Sequence, residues 1–199
     1  PRLSSPPRSI IRGSYEASGK NQTRIIEKKT IMKTSKDIFE LLDKEFPEKT
    51  TISEEPDSEP LFIVNAYAIN QICLWLRDAN TLEFDTLMCL SGADEADGTK
   101  ITQEEGQETV VGGNLSVYYH LYSIKYKHKI TIKVIVPKSE PITESVESVW
   151  KCADWHEREA FDMFGIVFLN HPDLRRILMP DDWEGYPLRK DYVNPEFYQ

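Results

Sequence analysis

The stretch LSVYYHLYSIKYKHKITIKVIVP, Leu115 to Pro137, decides the fold class. Its first half is rich in aromatic and β-branched residues. In its second half Ile130, Ile132, Val134 and Val136 recur at every other position, the period of a strand with one buried face. The basic run KYKHK between the halves marks the turn of a hairpin. Pro137 and Pro141 close this sheet, because proline cannot donate to a ladder.

Working outward from the hairpin, LFIV (61–64) reads as a short strand and FDTLMCLSGAD (84–94) as a longer one. Residues 95–113, rich in Gly, Glu and Thr, read as a loop, and TTISEEPDSEP (50–60) as a polar connector. Three helices are expected. The first covers 35–46, capped by Ser35 and ended by Pro47. The second, AYAINQICLWLRDA (66–79), is capped by Asn65 and apolar at Ile69, Ile72, Cys73 and Leu76. The third runs for about twenty residues to Phe164, with Thr143 or Ser145 as its cap. The fold class is therefore α+β: a small mixed or antiparallel sheet packed with about three helices, followed by a long irregular C-terminal segment. The expected organisation is a basic flexible extension over 1–33, an α+β domain over 34–165, and an extended segment over 166–199.

Composition narrows the function. The chain has 199 residues with a net charge of −9, 40% hydrophobic and 29% charged. Residues 1–33 hold eight Lys/Arg against two acids, so the rest of the chain is strongly acidic. An acidic body argues against nucleic acid, whose binding rests on phosphate neutralisation. The Ser-, Pro- and Arg-rich head reads as an arm, and Met32 as a possible natural start. No apolar run approaches the ~20 residues of a membrane span. Cys73, Cys89 and Cys152 lie far apart without CxxC spacing, so buried reduced thiols are expected rather than a cluster or zinc site. No GxGxxG, GKS or GKT is present, and His120, His128, His156 and His171 show no metal-ligand spacing. PDDWE, without an EF-hand frame, reads as a solvated loop.

The informative helix contains HEREAFDMFGI, His156 to Ile166. On a helical wheel Val146, Val149, Trp150, Ala153, Ala160, Phe161 and Phe164 form one stripe, with Glu157 at its centre. Trp155, Arg158, Glu159 and Asp162 fall opposite, where a solvated Arg158–Asp162 pair is expected. A carboxylate aimed at a core needs donors. Arg175, Arg176 and the amides of the turn after Gly165 are the candidates, so Glu157 reads as a structural clamp. A hydrolase built on Glu157 and His171 would need a nucleophile, and none is identifiable. The segment after Gly165 has prolines at 172, 180, 187 and 195 and the aromatics Trp183, Tyr186, Tyr192, Phe197 and Tyr198. It cannot be one helix, and the aromatics predict that it is ordered by lying on a neighbouring subunit.

WHEREAFDMFGIVFLNHPDLRRILMPDDWEGYPLRKDY, Trp155 to Tyr192, closely resembles the signature region of the thirty-kilodalton subunit of respiratory complex I, the proton-pumping NADH–quinone oxidoreductase. LMCLSGAD and YYHLYSIKYKHKITIKVIVP resemble that family's sheet. The resemblance implies a non-catalytic subunit of the peripheral arm, with no redox cofactor or metal of its own. The flavin, the iron–sulfur clusters and the quinone would lie in other subunits. Implied partners are the quinone-site subunit, which resembles a hydrogenase large subunit, and the subunit with the terminal iron–sulfur cluster. NADH or ferredoxin would be the electron donor of the complex. The implied location is peripheral, on the cytoplasmic side of a bacterial inner membrane, or the matrix or stromal side in an organelle. Glu157, Arg158, Glu159, Asp162, Gly165, His171, Arg175 and Arg176 fall in the family motif. Trp155, Trp183, Tyr186, Arg189, Lys190 and Tyr192 are the expected partner-facing residues, with the tail's basic groups pairing with a neighbour's acids. Membrane-bound energy-converting hydrogenases contain an equivalent subunit, which is the alternative assignment.

Overall fold

The structure, a computed structural model, describes residues 32–53, 60–102 and 108–193. Most of the basic extension lies outside these residues, as do Pro195, Phe197 and Tyr198. In chain order the elements are α1 (Ser35–Glu45), β1 (Thr50–Ser53), β2 (Leu61–Val64), α2 (Ile69–Asp78), β3 (Thr86–Asp94), β4 (Thr99–Thr102), β5 (Glu108–Val111), β6 (Asn114–Tyr122), β7 (Lys129–Pro137), β8 (Ile142–Glu144), α3 (Ala153–Phe164) and β9 (Val167–Leu169).

The hairpin β6–β7 is the middle of a five-stranded sheet ordered β1-β2-β7-β6-β3. Only β2 and β7 run parallel, so the sheet is mixed. Register follows the apolar alternation. Val117 faces Val134, Tyr119 faces Ile132 and Leu121 faces Ile130 across the hairpin, and all six are buried. Phe62 and Val64 continue that surface on β2. The helices contribute Ile38 and Leu42, then Ile69, Ile72, Cys73 and Leu76, then Ala160, Met163 and Phe164, to one common core. The α+β reading holds.

Several local expectations do not. The first helix is capped by Thr34 rather than Ser35. Thr34 and Asp37 form a reciprocal capping box, which the adjacent Ser35 is one position too late to make. Asn65 caps no helix. Its side chain accepts the Tyr67 amide in a turn, and α2 starts only after Ala68. Thr50–Ser53, read as connector, pairs with β2, and the loop at 95–113 contains the β4–β5 hairpin.

The largest correction concerns the third helix, which has 12 residues rather than about twenty. Ile142–Glu144 is instead a strand, parallel to β9. Val146, Val149 and Trp150 are buried at helix-like spacing but sit in turns, with the Val149 and Trp150 amides both on the Val146 carbonyl. A period of three or four does not separate a helix from consecutive turns that bury the same side chains. Nor are all three thiols buried: Cys73 is, Cys89 is half-buried, and Cys152 is exposed at the turn from which α3 starts.

Candidate functional site

α3 and the chain that follows it form one construction. Gly165 ends the helix in the left-handed conformation, φ 71°, which glycine adopts without strain. The chain returns through β9 and then runs as a strap, residues 171–193, over α3 and the end of β3.

Glu157 is fully buried, as its place in the stripe predicts. Its donors are not those expected. Ser145 donates its hydroxyl to Oε2 at 2.5 Å and the Val146 amide donates to Oε1 at 2.7 Å, both from the segment before the helix. Burial pushes its carboxyl from 4.5 up to about 7, against these two hydrogen bonds. Glu157 in turn helps push the buried thiol of Cys73 and phenol of Tyr119 upward, after burial itself. The His171 ring is buried beside it, with Nε2 3.9 Å from Oε2. Ser145, Glu157 and His171 do not make a hydrolytic triad. The serine is hydrogen-bonded to the carboxylate rather than to the imidazole, and all three side chains are shut away from substrate.

Asp162 does not face solvent. It is fully buried, because the strap covers the side of α3 that the wheel left open. Its Oδ2 accepts three consecutive amides, Ile177, Leu178 and Met179, at 3.0, 2.7 and 2.8 Å. Its Oδ1 takes Arg176 at 2.6 Å. Burial opposes ionisation here too, but the Met179 amide, Arg176 and the other two amides outweigh it and hold the carboxyl below its usual 3.8. The expected Arg158–Asp162 pair is therefore replaced by Arg176–Asp162. Arg158 is itself buried, donating to the carbonyls of Arg175 and Arg176 and stacking 5.1 Å from the ring centre of Trp155. Glu159 is exposed, and so is most of Trp155.

The rest of the strap is also held by its own chain. Arg176 donates to the carbonyls of Trp183 and Gly185. Arg189 donates to the Phe164 carbonyl at 2.6 Å and stacks on Tyr186, whose ring closes over Gly165. The Lys190 amide donates to Asp94, which also pairs with the buried Lys138 at 2.7 Å. Arg175 pairs with Asp173 at the surface. Tyr192 is half-buried against Gly185. The charges expected to meet a neighbour thus meet their own backbone and carboxylates. The sequence reading missed Ser145, Asp94 and Lys138 because their partners lie elsewhere in the chain. What remains outward on this face is Trp155, Leu178 and Leu188.

Among the described residues no three His, Cys, Asp or Glu side chains are grouped to hold a metal ion. No helix among them is long and apolar enough to cross a membrane.

The chain resembles a subunit of the NADH-quinone oxidoreductase of Chloroherpeton thalassium, with 47% identity over 141 residues, 70% of this chain and 52% of that protein. It thus spans about half the length of that relative. It is 37% identical to the subunit of the same name from Chlorobium phaeobacteroides, covering 80% of this chain and 89% of the relative. A chloroplastic NAD(P)H-quinone oxidoreductase subunit of Lemna minor is 53% identical over 92 residues, 44% of this chain and 58% of that protein. The fold is shared with a trypsin-resistant fragment of Nqo5, at TM-score 0.52 and 22% identity, over 70% of this chain and 98% of the fragment. It is also shared with a chain of a membrane-bound sulfane sulfur reductase, an archaeal respiratory membrane complex, at TM-score 0.57 and 18% identity, over 82% and 88%. Residues 62–198 match the family described as respiratory-chain NADH dehydrogenase, 30 kDa subunit, and the chain belongs to that family.

Proposed function

We propose that this chain is a non-catalytic peripheral-arm subunit of a complex-I-type NADH- or ferredoxin:quinone oxidoreductase. It binds no flavin, iron–sulfur cluster or quinone itself, and it braces the quinone-site subunit and the subunit that holds the terminal iron–sulfur cluster. The observation that carries this reading is the strap. A long proline-rich segment is fastened to α3 and β3 by buried carboxylates, which fixes a surface from which Trp155, Leu178 and Leu188 project, 61%, 60% and 52% exposed. Exposed aromatic and aliphatic anchors on a rigid support, ringed by charge, are the features of a protein–protein interface. Trp183, Tyr186, Arg189, Lys190 and Tyr192 then act mainly by shaping that surface. The complex lies on the cytoplasmic face of a bacterial membrane, or on the matrix or stromal face in an organelle.

The test is purification of the tagged chain from native membranes. The quinone-site and iron–sulfur subunits are expected to co-purify, and Trp155→Ala with Leu178→Asp is expected to lose them while the purified chain stays folded. Normal recovery of both partners with that double variant would remove the interface. Co-purification of a nickel-binding subunit would place the chain in a membrane-bound hydrogenase instead.

A further inference from the structure

Glu157 is a buried carboxylate whose sole basic neighbour within 4 Å, among the described residues, is His171. The state of that histidine is fixed by its hydrogen bonds. Nδ1 accepts the Asp173 amide at 3.1 Å, so it carries no proton, and Nε2 donates to the Asp154 carbonyl at 3.2 Å. A neutral imidazole follows. Protonating it would set Nδ1–H against the Asp173 N–H and break the first turn of the strap.

The other titratable groups facing Glu157 make its charge less welcome still. From α3 itself comes Asp154, and from the turn before it Glu147, both disfavouring ionisation. From α2 comes the thiol of Cys73 and from β6 the phenol of Tyr119, both neutral. We propose that Glu157 and His171 form a proton-operated catch: the strap's root at His171–Asp173 is seated when the Glu157 carboxyl holds a proton and loosens when that proton leaves.

The mechanism is desolvation. A neutral Glu157 returns a hydrogen bond to Ser145 and asks nothing of His171. An ionised Glu157 stands 3.9 Å from a neutral ring, too far for a direct hydrogen bond, with Asp154 close by. The state that relieves it lets the His171 ring swing away and water reach the carboxylate. The sign follows from the raised carboxyl. The seated form holds more protons than the loosened form between 4.5 and about 7, so seating is full at low pH, weakens through that window and levels above it. With a loosened value of about 4.5, the seated-to-open ratio falls about tenfold between pH 6 and 8.

The catch is separate from the Asp162 clasp, which supplies an internal control. Amide hydrogen exchange on the full chain, corrected for the intrinsic pH dependence of exchange, should show protection at Ser145 and Asp173 falling about tenfold from pH 6 to 8. Protection at Ile177, Leu178 and Met179 should hold. In Glu157→Gln, which keeps both hydrogen bonds and cannot ionise, the root should stay protected across the range. A carbon NMR titration of the Glu157 carboxyl in the unmodified chain gives the second reading, with a midpoint near 7 expected. A midpoint in the ordinary carboxylate range overturns the proposal, as does a pH-independent root in the native chain or an equal slope in Glu157→Gln. Should the variant not fold, the carboxyl titration and the native-chain profile decide.

Discussion

Replacing Asp162 by asparagine isolates the clasp that holds the strap. The carboxylate takes the amides of Ile177, Leu178 and Met179 on one oxygen and Arg176 on the other. Asparagine keeps the shape but exchanges one acceptor for an NH2 donor. Turned one way, that donor faces three amides, and turned the other way it faces a guanidinium. Hydrogen bonds to a charged acceptor contribute about 1.5–3 kcal/mol each. Stranding one member of a buried ion pair costs about 3–5 kcal/mol. Arg176 is only 16% exposed, so little of that is relieved by water. The two accounts describe overlapping losses, which places the expected destabilisation at about 3–5 kcal/mol rather than at their sum. For a chain of this size that lowers Tm by roughly 6–20 °C. Because the carboxyl lies below its usual value, its contribution is present above pH 3.8 and fades as pH falls through the folded value. The gap between the native chain and Asp162→Asn should thus be constant from pH 5 to 8 and close in stronger acid. Urea denaturation gives the free energy, and trypsin cleavage after Arg175 and Arg176 reports whether the strap has come away. A difference below about 1 kcal/mol, with the strap equally resistant, would refute the clasp.

Gly165→Ala should dislodge the strap from its other end. The left-handed backbone costs a side chain about 1–2 kcal/mol, and a Cβ there would stand 2.5 Å from the Tyr186 ring and 2.8 Å from Arg189. A lower Tm and faster trypsin cleavage after Arg189 are expected, and an unchanged Tm would contradict the contact. Thiol labelling of the native chain should begin at the exposed Cys152 and spare Cys73, whose thiol is buried and pushed far upward by burial and by Glu157. Cys152→Ser should remove the fastest phase, and labelling of Cys73 at a comparable rate would show that the core opens beside Glu157.

The sheet was legible because its information is local. Alternation in Ile130–Val136 fixes both a strand and its inward face, and the KYKHK turn pairs it with the strand before. The burial of Glu157 was legible for a related reason, since a wheel needs only the spacing of its own helix. What failed was reading that required distant partners. Asp162 looked solvated because its cover arrives 14 to 17 residues later. Arg176 and Arg189 looked outward-bound because nothing local competes for a guanidinium, whereas the folded chain offers them Asp162 and the Phe164 carbonyl. Asp94 meets the Lys190 amide across 96 residues, a pairing that no periodicity encodes.

The two buried carboxylates of α3 divide the strap into parts that answer differently to protons. Both are stripped of water, and the outcome in each case is set by the donors around them. Asp162 has three amides and a guanidinium, so ionisation is favoured and its charge is fixed across the neutral range. Glu157 has one hydroxyl and one amide, with no cation in contact, and the same desolvation prevails. The middle of the strap, at 176–179, is therefore anchored by a permanent charge, while its root at 171–173 leans on a group that changes charge near neutrality. A rise in pH from 6 to 8 loosens the root without releasing the strap. The surface bearing Leu178 keeps its anchorage to α3 while the link between β9 and that surface gains freedom. Moving the permanent charge reverses the order of failure: in Asp162→Asn the middle of the strap should give way first, at every pH where the native chain holds it.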